Sequence, residues 1–228
     1  MSAGTAGRLA PLSGVAFLAL GLLGAVVLYP GDAPDFVDEP AKIAAFYEKN
    51  GTDLLGSGVC YLLGGVFLMW FVGTLRAHLS HAEGGSGPVA GIAFGGGVAA
   101  VVLLWASASI EAVAALRVDE NDAIDPQLAA AYWDLSSILF GLAAPYAMAV
   151  LLGASAIAAF RFGALPTWLG GLGALIALAC LVPPIAFFVI IISFFWVAVT
   201  GVVLFLQGEP AAAEPAAAEP AAAEPAAA

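Results

Sequence analysis

The run Ile185–Leu206, "IAFFVIIISFFWVAVTGVVLFL", contains no charged residue over a length that crosses a bilayer core, about 20 residues. Runs of the same kind recur along the chain, separated by short stretches rich in Gly, Pro and acids. In a bilayer core every backbone amide must be satisfied within its own segment, so such runs fold as helices packed on one another. The ten-residue alternating pattern of a membrane barrel is absent. Composition agrees: 62% of the 228 residues are hydrophobic and 10% charged, too little charge to cover the surface of a soluble domain. The expected fold is all-α. It is a six-transmembrane-helix bundle with a short interfacial helix in the first outer loop and a disordered C-terminal tail.

The spans are expected at about 12–29, 54–75, 89–116, 129–160, 166–182 and 185–207, forming one membrane domain over 1–208. Arg8 followed by an apolar run resembles a secretory leader. No A-x-A site precedes "YPGDAP", so the run reads as a retained first helix. Pro183-Pro184 separates the last two spans into a hairpin. Residues 209–228 are four copies of "EPAAA". A proline every fifth residue and the lack of large apolar side chains suit an extended spacer or an artificial extension.

Lys and Arg divide evenly between the two faces: Arg8, Arg76 and Arg161 against Lys42, Lys49 and Arg117. The first three flank spans in segments nearly free of acid, so both termini are expected in the cytoplasm, with the protein in the plasma membrane. The net charge of −11 comes from acids in loops and tail, and no basic cluster suits nucleic acid.

In the first outer loop, "DEPAKIAAFYEKNGTD", Pro40 suits a first helical turn and Gly51 a stop. Ile43, Phe46 and Tyr47 share one side, as in a helix lying on the membrane. The second outer loop, "RVDENDAIDPQ", is acidic but lacks the glycine and distal glutamate of a calcium loop. His78, His81 and Glu83 read as a solvated loop. No metal or cofactor is expected.

Gly87, Gly91 and Gly95 recur every fourth residue in the third span, a ridge that lets another helix approach closely. Packing inside the bundle is the expected use, and contact with a second copy or another membrane protein the alternative. The polar candidates lie deeper. Glu111 falls about 9 Å from the Arg117 end of its span, beside Ser107 on its face. Asp134 lies at similar depth on the fourth span, followed on its face by Ser137. If the two helices turn these faces together, Glu111 and Asp134 form a proton or cation site; otherwise Glu111 sits at a wet interface.

The segments "IAAFYEKNG", "FVGTLRAHL" and "ALPTWLGGLGALIALACLVPP" resemble a group of uncharacterised multi-pass membrane proteins of actinobacteria. The likeness covers most of residues 9–206. It implies a six-span plasma-membrane protein with no assigned activity, and carries over no functional residue. No nucleophile, metal or paired-aspartate arrangement suited to catalysis is evident. The expected function is therefore non-enzymatic, that of a structural, accessory or partner-binding membrane protein. The alternative is a small proton- or cation-coupled transporter using Glu111 and Asp134.

Overall fold

The computed structural model describes residues 7–36, 38–85, 87–121 and 123–208. The EPAAA tail and Asp122 therefore lie outside the described residues. Among the described residues six helices follow in order: α1 (Gly7–Leu28), α2 (Pro40–Ala82), α3 (Pro88–Asn121), α4 (Pro126–Phe162), α5 (Thr167–Cys180) and α6 (Pro183–Gln207). Five of them are long and apolar enough to cross a membrane; α5, with 14 residues, is the short one.

Local chemistry sets the helix ends. Prolines open α2, α3, α4 and α6, where the missing N–H is needed least. Asp125 caps α4, its Oδ1 accepting from the amides of Gln127 and Leu128 at 3.0 Å each. The α2–α3 turn uses Gly84 and Gly85 at φ 86° and 100°. Glu83 then turns forward, its carboxylate accepting from the first amides of α3, Val89 at 3.1 Å and Ala90 at 2.7 Å. Gly163 ends α4 in the left-handed conformation.

Each helix packs on the next, and α6 returns against α1, closing the bundle. Small residues set the close approaches. A Cβ on Gly96 of α3 would lie 2.6 Å from the Leu151 amide nitrogen of α4, and one on Gly97 2.6 Å from Val72 of α2. Gly51, Gly58 and Gly65, seven residues apart on α2, face Ala115, Ala112 and Trp105 of α3. The main core, with Leu68, Phe71, Met148, Leu151 and Trp196, fills the bundle.

Two expectations are corrected. Residues 40–50 do not form a separate interfacial helix, because α2 runs unbroken for 43 residues, about 65 Å. Gly51 is no stop: it is buried where α2 crosses the Ala115 carbonyl. Ile43, Phe46 and Tyr47 face a second core, made with Ala114, Ala115, Val118, Ala129 and Trp133. Secondly, the Gly87, Gly91 and Gly95 ridge does not pack inside the bundle. Gly91 and Gly95 are exposed and a Cβ on either meets nothing within 4 Å, while Gly87 lies against the Glu83 side chain. The neighbouring pair Gly96 and Gly97 takes the inward face, about 100° round the helix.

A 65 Å helix is about twice the hydrocarbon thickness, so one end of α2 stands beyond it. Residues 54–75 carry no charge, whereas Lys42, Glu48, Lys49 and Asp53 precede them. The projecting part is therefore 40–53. With the ends of α3 and α4 it forms a three-helix cap built on the second core.

Candidate functional site

Glu111 lies where this cap meets the membrane bundle. Ser107, Ala114, Ala115 and Val118 of α3 are all buried, and Glu111 falls in the middle of that face. It stays partly exposed itself. Its Oε1 accepts a hydrogen bond of 2.7 Å from the hydroxyl of Tyr29 at the end of α1. The backbone prepares this contact. Over Leu23–Leu28 α1 widens into a π-helix, and the Tyr29 amide donates to the Gly24 carbonyl five residues back at 2.8 Å. Tyr61 of α2 packs over Gly24, where a Cβ would come within 2.8 Å of its ring.

Next to Tyr29 the cap carries a cluster of aromatic rings. Phe46 stands edge-to-face with Trp133 at 5.7 Å and with Tyr47 at 6.0 Å. Tyr47 and Trp133 meet at 6.3 Å, and Tyr29 lies 6.4 Å from Phe46. Tyr47 is 0% exposed and Trp133 7% exposed. Yet the Tyr47 hydroxyl and the Trp133 indole N–H have no hydrogen-bond partner, the two such buried side-chain atoms among the described residues.

No hydrogen bond joins Glu111 to Asp134 among the described residues. Among the described residues Glu111 bonds to Tyr29, and Asp134 makes no hydrogen bond or ion pair. Trp133 holds the inward position on α4, and Asp134 follows it about 100° further round. Ser107 does reach α4, but its hydroxyl donates to the Ser136 carbonyl at 2.9 Å; Ser137 makes no hydrogen bond among the described residues. Before Pro145, α4 widens into a π-turn at Leu139–Ala143, where the Ala144 amide reaches the Leu139 carbonyl.

The other polar candidates have structural partners. His78 Nε2 lies 2.7 Å from the Ala164 carbonyl, tying α2 to the α4–α5 turn. Cys60 and Cys180 are buried and free. In the first loop Lys49 donates to Asp32 at 2.5 Å and Lys42 to Asp38 at 2.6 Å. These lysines hold both carboxyls below the usual aspartate range. No group of three metal-ligating side chains occurs among the described residues.

No family model, curated protein or solved structure matches the chain.

The residues that sequence reasoning missed are Tyr29, which binds Glu111, and the ring cluster of Phe46, Tyr47 and Trp133 beside Tyr29. Tyr29 ends the first apolar run, toward the same face as Glu111, and that position was the available signal.

Proposed function

We propose that this chain is a structural or partner-binding protein of the plasma membrane without catalytic activity, with both ends on the cytoplasmic side. The observation that carries the reading is the state of Glu111. Its carboxylate is bound by Tyr29 at the end of a span, among packed rings, where it fastens α1 to the cap. Transport through Glu111 would require this contact with Tyr29 to open or to take part in the transfer. The exposed row Gly91, Gly95 and Ala99 offers a flat helix face to a second copy or another membrane helix. The cap adds a water-facing surface.

The test is subunit counting in native-like nanodiscs, by single-molecule photobleaching, for the wild type and for the pair Gly91→Leu and Gly95→Leu. Assembly that the pair of leucines abolishes supports the reading. A wild type that stays monomeric and retains no co-purifying membrane partner contradicts it.

A second reading, proton- or cation-coupled transport through Glu111 and Asp134, is favoured by the partial exposure of Glu111 within an otherwise packed face. Flux into liposomes that Glu111→Gln abolishes and Asp134→Asn reduces would establish it in place of the first.

A further inference from the structure

The cations of this chain fall into two groups. Lys42 and Lys49 are paired with Asp38 and Asp32. Arg8, Arg76 and Arg161 form no ion pair among the described residues. From Leu54 to Ile110, and again from Leu135 to Gly208, the one acid is Glu83. Its carboxylate is taken by the amides of Val89 and Ala90. Arg8 and Arg76 are exposed. The Arg76 guanidinium stands 4.8 Å from the centroid of the Phe94 ring, a contact that positions its charge without neutralising it.

Packing puts Arg8 and Arg76 at one level. Along α1 and α2, Leu28 lies against Gly56, Tyr61 against Gly24 and Leu20 against Gly64. Continued at equal rise along both helices, this antiparallel register sets Ala10 beside Thr74 and Arg8 level with Arg76. Here the surface is hollow. Ala10, Met69, Trp70, Gly73 and Thr74 line a groove of about 410 Å³. Gly73 opens it, since a Cβ there meets nothing within 4 Å. Trp70 stands along it, 65% exposed, and Val59, Leu63 and Val66 continue the exposed apolar face of α2. That face belongs to the uncharged stretch 54–75 and is turned to lipid.

Two features select the occupant. The apolar lining suits an acyl chain. The exposed arginines call for an anion, and phosphate accepts well from a guanidinium. A head group of net negative charge gains from both arginines, whereas the ammonium of a zwitterionic one offsets that gain. A free phosphate would leave the groove unfilled.

We infer that the lipid-facing side of α2 binds an anionic phospholipid, its acyl chain in the groove over Gly73 and its head group drawn by Arg8 and Arg76. The inference does not depend on whether the chain binds a protein partner.

Quenching of Trp70 by dibrominated lipids tests it, with the full chain in nanodiscs. The Trp70 signal is the difference between the chain and its Trp70→Phe variant. Dibrominated phosphatidylglycerol and dibrominated phosphatidylcholine, each mixed with unlabelled lipid, give the head-group preference at that position. Each arginine is expected to favour phosphatidylglycerol about five-fold, and Arg8→Gln and Arg76→Gln should each lower the preference by that factor. Gly73→Leu fills the groove while keeping both charges, and should lower it too. Arg161→Gln, at the far end of α4, should leave it unchanged. Equal quenching by the two lipids overturns the inference, and is the result expected if the glutamates of 209–228 occupied the arginines instead. A preference that survives the loss of both Arg8 and Arg76, or that Arg161→Gln lowers as much as either, also overturns it.

Discussion

Replacing Tyr29 by Phe removes one oxygen and leaves the Glu111 carboxylate without its donor. A hydrogen bond to a charged group contributes about 1.5–3 kcal/mol in water-soluble proteins. Interhelical polar pairs in membranes average nearer 0.6 and reach about 1.7 kcal/mol. Taking a value between these two ranges, the expected cost of Tyr29→Phe is about 1–2 kcal/mol. Glu111→Leu removes the acceptor and leaves a phenol that can turn to the headgroups. The double variant strands no charge. Its cost should therefore fall short of the sum of the single costs by about 1 kcal/mol, beyond the roughly 0.3–0.5 kcal/mol scatter of independent sites. Steric-trap unfolding in bicelles measures all four forms. Costs that add within that scatter would show that the 2.7 Å contact does not couple α1 to α3, and the fastening role of Glu111 would fail.

Three further outcomes follow from the packing and the loops. Gly96→Ala drives a methyl against the Leu151 backbone and should cost about 1–3 kcal/mol, whereas Gly91→Ala, facing outward, should be neutral or gain up to about 1 kcal/mol of helix propensity; thermal denaturation of both compares them. The Asp32–Lys49 and Asp38–Lys42 pairs depress the folded-state carboxyl values, so their contribution is present above the ordinary value of 3.8 and is lost as pH falls below it. Hydrogen exchange across 30–39 should rise in that acid range and not between pH 5 and 8, with a small amplitude because the pairs are exposed. In a background lacking Cys60 and Cys180, an impermeant maleimide on intact cells should label Gln127→Cys and not His81→Cys; labelling of both without permeabilisation would contradict the topology.

The apolar runs made the helices legible, because Pro and Gly punctuate them where the structure turns. What the sequence could not supply was rotation. On α3 two glycine rows lie side by side, Gly91 with Gly95 and Gly96 with Gly97. Only contact with Val72 and Leu151 decides which turns inward. Depth along a helix can be counted from the sequence, whereas azimuth cannot. The partner of Glu111 depends on azimuth: Tyr29 of α1 reaches it, and on α4 Trp133 is the buried residue beside the half-buried Asp134. The stripe of Ile43, Phe46 and Tyr47 was ambiguous for another reason. A helix lying on lipid and a helix covering a small core present the same pattern, and only the partners from α3 and α4 separate the two cases.

The central claim is that α2 passes straight through the membrane and stands beyond it as part of the cap. Pulsed electron spin resonance between labels at Ala41 and Ala77, both exposed, measures this in nanodiscs once Cys60 and Cys180 are replaced. Thirty-six residues of unbroken helix span about 54 Å, and a distribution centred there is the expected result. If residues 40–52 instead lay flat on the bilayer, the distance would shorten to about 40 Å, and a distribution centred at that value would contradict the account.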